Sequence, residues 1–210
     1  QQFGEITTLI DDTGDSVDDF KEGIRSYARD STASFSQVNA AIYSAISAGV
    51  DYKESVDFVR QSEKLAVAGK ADLNAALKLL VSSLNAYGEE SDQAQKYADV
   101  LFETVRKGQT TLPELGASLA KVTGIAANAG IPIEELSAAI AALTASGLPT
   151  KQAMTAIKQA ISNIIKPTSE AEKTASELGI GFSAAALESK GLSGVLMEVK
   201  DATGGSTEQM

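Results

Sequence analysis

An all-α fold is what this sequence predicts, on three observations. Apolar residues recur at three- and four-residue spacing along most of the chain. Glycine and proline stand at the ends of most of those runs. The hydrophobic content of 43% comes largely from alanine, with 5% aromatic residues and no tryptophan. Thin side chains let helices approach closely, so the expectation is a multi-helix chain of short to medium helices joined by Gly/Pro breaks, arranged as hairpins or a solenoid.

Taken in order, the first fifteen residues are weakly patterned and acidic and read as a linker or the end of an upstream helix. Ser16-Val17-Asp18-Asp19 looks like a capping box, and Val17, Phe20, Ile24 and Tyr27 continue it as a helix over 16–29. Val38, Ile42 and Ile46 form the next stripe, ended by Ala48-Gly49, and Val56, Val59 and Leu65 the one after, ended by Gly69. Asp72 caps a helix whose face is Leu73, Ala76, Leu77, Leu80, Val81 and Leu84, closed by Tyr87-Gly88. The acids Glu89, Glu90 and Asp92 open another helix that runs through Ala94, Tyr97, Leu101 and Val105 to Arg106-Lys107-Gly108. Thr111-Leu112-Pro113-Glu114 is a capping box with an early proline, and Leu115, Leu119 and Val122 carry a single helix to about Ala127.

Residues 128–180 then hold three helix signals in a row. Ile131-Pro132 opens the first, Ser146-Gly147-Leu148-Pro149-Thr150 closes it and caps the second, and Lys166-Pro167-Thr168-Ser169 separates the second from the third. The uncharged run 137–150 reads as a buried helix, since it is too short and too interrupted to span a bilayer. Beyond Gly179, repeated glycines leave two short helical pieces, about 183–188 and 192–202. Ala48-Gly49-Val50 before Lys53-Glu54-Ser55 echoes Ala129-Gly130-Ile131 before Glu134-Glu135-Leu136. A duplication or glycine turns between amphipathic helices would each produce that echo. The segments are therefore 1–30, a linker and first helix; 31–181, a helical core; and 182–210, a looser extension. The N-terminus lacks the basic and apolar regions of a signal peptide, and both ends read as cut from a longer chain.

Composition excludes much chemistry. With no cysteine and no histidine, Ser-His and Cys-His nucleophiles, most zinc sites and the usual neutral-pH base are gone. A net charge of −10 argues against a dedicated, sequence-specific nucleic-acid surface, and no apolar run supports membrane contact. Asp11, Thr13, Asp15, Asp19 and Glu22 fall at calcium-loop spacing, but Ser16 stands where the sharp turn needs glycine and Asp18 where an apolar residue packs. Ser118 and Lys121 have S-x-x-K spacing without its partner motifs, Lys173-Thr174-Ala175 not being K-T-G. Gly179-Ile180-Gly181 follows a helix and is a C-cap and bend, not a phosphate loop. Glu89-Glu90 and Glu134-Glu135 are first-turn acids suited to the helix dipole. The reading is of no catalytic, cofactor-binding or metal-binding residues, and of no enzyme.

In their order, Leu73 to Tyr87, Tyr97-Ala98-Asp99-Val100-Leu101, Ala126 with Ala129-Gly130-Ile131, Glu134-Glu135-Leu136, Ala138-Ala139-Ile140 with Leu143, Gly147, Lys166-Pro167-Thr168 and Leu178-Gly179-Ile180 resemble the core region of bacteriophage tail tape measure proteins. The resemblance runs from about Ser31 through Lys190-Gly191-Leu192 to Thr203-Gly204-Gly205. Where that family reads A-G-T, this chain has Ala153-Met154-Thr155, so Met154 is expected to fill a gap between helices. The resemblance implies a structural protein of a phage or prophage. Such a protein occupies the tail lumen, helps set tail length, resides in the virion tail and, during assembly, in the host cytoplasm. It implies tail tube, tail tip and assembly-chaperone partners and allows self-association. From other classes, a soluble helical adaptor or solenoid, and a membrane-active or lytic module, stand as alternatives.

Overall fold

The computed structural model describes residues 4–10 and 15–204, and every regular element among them is helical. The chain divides into two compact units: one of Gln1–Val105 with Thr111–Ala117, the other of Arg106–Thr110 with Ser118–Met210. This division differs in position from the segments 1–30, 31–181 and 182–210 read from the sequence.

The first unit holds α1 (Gly4–Thr7), α2 (Asp15–Asp30), α3 (Phe35–Ser47), α4 (Tyr52–Ala68) and α5 (Leu73–Tyr87), then α6 (Ala94–Lys107) after a short 3-10 turn, and α7 (Leu112–Ser118). Helices α3, α4 and α5 pack on one another, α2 packs on α3 and α4, and α1 on α3. Val17, Phe20, Ile24 and Tyr27 are the buried stripe of α2, as their spacing requires. That helix begins at Asp15, however, so Ser16 sits in its first turn and not at the cap. The opening stretch is more than a linker: α1 is a helical turn, and Ile6 on it is 2% exposed.

The second unit holds α8 (Ala120–Asn128), α9 (Ile133–Ala145), α10 (Thr150–Ile165), α11 (Ser169–Glu177) and α12 (Ala184–Ala202). Helix α10 packs on α8, α9 and α12, and α12 also packs on α9. Leu119, between α7 and α8, keeps helical φ −61 and ψ −41, and its carbonyl accepts from both Val122 at 2.9 Å and Thr123 at 3.0 Å, as the helix expected through Leu115, Leu119 and Val122 requires. One expectation needs correction. Helix α9 is half-buried: Leu136, Ser137, Ile140, Ala141 and Thr144 face the core, while Ala138, Ala142 and Ala145 are exposed. Alanine exposes little apolar surface, so a helix without charge need not be wholly buried. The stretch 146–150 starts α10 as expected, with Pro149 as its N-cap, and the Thr150 hydroxyl donates to Thr110 Oγ1 at 2.8 Å. Met154 is buried, and the two short helices expected near 183–202 are the halves of α12, broken at Gly191.

One connection recurs. After α3, α4, α8 and α9 the chain takes a residue in the left-handed region, then an apolar residue, then the N-cap of the next helix: Gly49-Val50-Asp51, Lys70-Ala71-Asp72, Gly130-Ile131-Pro132 and Gly147-Leu148-Pro149. In each, the apolar residue's N–H returns to the carbonyl five residues back: Val50 to Ala45 at 3.1 Å, Ala71 to Ala66 at 2.8 Å, Ile131 to Ala126 at 2.9 Å and Leu148 to Leu143 at 3.1 Å. This is the Schellman closure, which satisfies carbonyls that a helix end leaves open. The echo between Ala48-Gly49-Val50 and Ala129-Gly130-Ile131 is thus the same turn, and each unit joins three consecutive helices by it.

The α4–α5 connection places its glycine differently. Lys70, at φ 51, occupies the left-handed position, while Gly69 precedes it at φ −90. A Cβ on Gly69 would lie 2.1 Å from Leu112 Cδ1 and 2.6 Å from its Cγ. Gly69 is therefore required for the close approach of Leu112, and Lys70 bears the strain of the turn. All five tyrosines fall in the first unit, so tyrosine fluorescence reports on that unit. In urea unfolding read this way, Gly69→Ala is expected to lower stability by about 1–3 kcal/mol through overpacking. Lys70→Gly is expected to raise it by roughly 0.5–1 kcal/mol, the relieved strain less the added chain entropy of glycine.

Candidate functional site

Among the described residues, three surface grooves, the buried Glu63 and the half-buried Glu135 are places where chemistry could reside. In the first unit, the buried face of α4 runs through Ser55, Phe58, Val59, Ser62, Leu65 and Ala66, and Glu63 lies on that face between Val59 and Ala66. Its carboxylate accepts from the Tyr27 hydroxyl, from Ser31 Oγ at 2.9 Å, and from Thr32 N and Oγ1, both at 2.6 Å. Tyr27 ends the α2 stripe, and Ser31 and Thr32 form the α2–α3 connection. One side chain of α4 therefore clasps α2 and the turn that follows it. The Arg60 guanidinium lies 5.3 Å from the centre of the Tyr27 ring.

Burial pushes the Glu63 carboxyl up, but hydrogen bonds from Thr32, Tyr27 and Ser31 outweigh that and hold it below the usual carboxylate range. Burial, with the bond to Glu63, pushes the Tyr27 hydroxyl up. Both groups are thereby locked in the forms that bond one another. A groove of about 470 Å³ opens beside them, lined by Tyr27, Thr32, Arg60, Glu63, Lys64 and Val67. Glu63 is already engaged by four donors, so the groove gains a structural carboxylate and not a general base.

A second groove of about 410 Å³ is lined by Asp51, Glu54, Glu89 and Glu90 together with Phe58 and Asn85. The Ser91 hydroxyl donates to Glu54 there. Glu89 and Glu90 are not the first-turn acids expected: Glu90 is the N-cap of the 3-10 turn and Glu89 precedes it, and the acid in that first turn is Asp92. Among the described residues, no group of three or more His, Cys, Asp or Glu is placed to hold a metal ion. A third groove, about 290 Å³, lies between α11 and α12 and is lined by Ala171, Leu178, Ile180, Phe182, Val199 and Thr203.

In the second unit Glu134 and Glu135 stand in the first turn of α9, as expected, and Glu135 has a further role. Its Oε1 accepts from Ser193 N at 2.8 Å and Ser193 Oγ at 2.5 Å. Burial again pushes the carboxyl up, and bonds from Ser193 and the Leu192 backbone prevail and hold it low. Glu135 on α9 thus also caps the second half of α12. Sequence reasoning missed both clasps. The signal for Glu63 was an acid on an apolar face, whereas Glu135 had none, because its partner is 58 residues away.

Asp11 and Thr13 of the calcium-spaced run, and the Asp15 side chain, lie outside the described residues. Ser118 is buried and Lys121 exposed. Gly179 is left-handed at φ 71, with Ile180 N returning to the Ala175 carbonyl at 2.8 Å, as a C-cap requires. No helix among the described residues is long and apolar enough to cross a membrane.

An all-α chain whose buried acids are committed to holding helices in place is built as a structural module. It belongs to the phage-related minor tail protein family, whose sequence model matches residues 16–210. It is similar to a tape measure protein of Pneumococcus phage Dp-1, 30% identical over 163 residues, 78% of this chain and 14% of that protein. A probable tape measure protein of Clostridium phage phiCD119 is 29% identical over 138 residues, 64% of this chain and 15% of that protein. One of Escherichia phage P2 is 27% identical over 116 residues. The chain thus spans about one seventh of the length of these curated relatives. No solved structure matches it.

The Glu63 clasp makes the first unit acid-sensitive. A carboxyl held below its ordinary value of 4.5 stabilises the fold fully above that value and loses the contribution as pH falls through the lower folded value. Glu63→Gln is expected to lower stability at neutral pH by about 1.5–3 kcal/mol, the range for buried bonds to a charged group. It should also flatten the acid dependence, both effects read by tyrosine-detected urea midpoints at neutral pH and below pH 4.5.

Proposed function

We propose that this chain is a folded helical segment of a phage tail tape measure protein, residing in the tail lumen and contributing to the protein that sets tail length. The observation that carries the reading is the match to tape measure proteins over 78% of this chain but 14% of the relative's length. Such a match supports reading the chain as a portion of a much longer polypeptide.

The geometry specifies what that portion contributes. As one continuous helix, 210 residues would reach about 315 Å at 1.5 Å per residue. The longest unbroken helix among the described residues, α4, has 17 residues, or about 26 Å, and the recurring turns fold the chain back after α3, α4, α8 and α9. In this reading it acts as a folded structural part, not a catalyst, while extended measuring sequence lies elsewhere in the full protein. Tail tube, tail tip and assembly-chaperone proteins, or further copies of the chain, are its partners in that setting.

In tails purified from the phage or prophage encoding the chain, mass spectrometry is expected to detect the segment. Protease added outside should leave it intact until the tube is opened. Absence from tails, or cleavage in intact tails, would contradict the lumenal placement. Deletions within 31–181 that shorten tails by about 1.5 Å per residue removed would contradict the folded-module reading.

A further inference from the structure

Helix α12 is bent, as the glycines of its sequence lead one to expect. No proline lies within 184–202, yet Gly191 takes φ 73 and ψ 173, outside the helical region. The carboxylate of Glu135 sits at that break. It accepts from Ser193 N and Oγ, as the cap of the helix half that begins there. A Cβ on Gly191 would fall 2.7 Å from each Glu135 carboxylate oxygen. The glycine thus supplies both the left-handed backbone and the space through which a side chain from another helix reaches the cap.

Two more contacts belong to the bent form. Lys190 Nζ pairs with Glu198 Oε1 at 2.6 Å, eight residues on, whereas a continuous helix brings together residues three or four apart. Gly194 leaves room for the same lysine: a Cβ there would be 3.0 Å from Lys190 Cβ. Burial of Leu192 and Val195 also favours the bend. Opposing it is the uninterrupted hydrogen-bond ladder that residues 184–202 would make as one helix.

We propose that residues 184–202 form a two-state element: a bent state clasped by Glu135, and a straight helix adopted when the clasp is withdrawn. The straight state would carry Leu192, Val195, Leu196 and Val199 on one face, at helical spacing. Leu196 is already 43% exposed in the bent state. The device lets a folded segment extend its last helix without unfolding the rest of its unit.

The chain has no cysteine, so Ala185→Cys and Lys200→Cys accept a unique pair of spin labels at exposed positions. Pulsed dipolar spectroscopy of the full chain is expected to give a short distance in the otherwise native protein. Glu135→Ala is expected to add a population near the straight-helix span of about 22 Å for fifteen residues, raising the straight-to-bent ratio at least tenfold. Gly191→Ala should do the same by a separate route, since alanine disfavours the left-handed position and meets the carboxylate. Glu135→Gln, which keeps an acceptor oxygen, should fall between native and Glu135→Ala. If circular dichroism shows that Glu135→Ala does not fold, Gly191→Ala decides alone. A folded variant that keeps the native distance distribution, or a native protein already at the straight-helix span, overturns the proposal.

Discussion

The fold depends on ending helices without leaving their last carbonyls unsatisfied. In an all-α chain with thin, alanine-rich side chains, each helix stop must be made by the backbone itself. The repeated answer is a left-handed residue followed by an apolar residue whose N–H returns five positions, at Val50, Ala71, Ile131 and Leu148. The next residue then starts a new helix in one of two ways. In the first unit it is an aspartate, Asp51 or Asp72, whose side chain accepts from the new helix at 2.8 Å. In the second it is Pro132 or Pro149, whose ring holds φ near the value that the entry requires (−62 and −55). With four residues per connection, consecutive helices fold back and pack.

Alanine makes close packing easy and unique packing hard, because many helix registers bury similar surface. The carboxylate clasps supply specificity that such a core lacks. Glu63 has four donors from α2 and its following turn, and Glu135 fixes where α12 bends. A buried acid of this kind is costly when a donor is lost, so each clasp favours one arrangement over its near neighbours. That property suits a structural segment of a phage tail protein.

Helix starts and stops were legible in the sequence wherever a backbone rule governed them. Asp72 caps a helix, Thr111 and Glu114 form a capping box, Gly69 ends α4, and Gly88, Gly130, Gly147 and Gly179 are left-handed. The family was legible because those breaks fall in a characteristic order. What escaped was decided by tertiary contact. The approach of Leu112 to Gly69, with the left-handed position falling on Lys70, was not visible in the pattern. Glu135 was read as a first-turn acid, and its second role as a cap of α12 appears only where α12 comes beside it. Ser16 failed as a cap because the helix starts one residue earlier, a distinction that local pattern does not resolve.

The most direct test of this account is amide hydrogen exchange, followed residue by residue in the native protein. Val50, Ala71, Ile131 and Leu148 all lie outside helices, between a left-handed residue and an N-cap. If the Schellman closures hold the fold together, their N–H groups exchange as slowly as those of Ile42, Leu80 and Ile140 in the helix interiors. If they exchange at the rate of freely exposed loop amides, the helices are being stopped by something else, and the account is wrong.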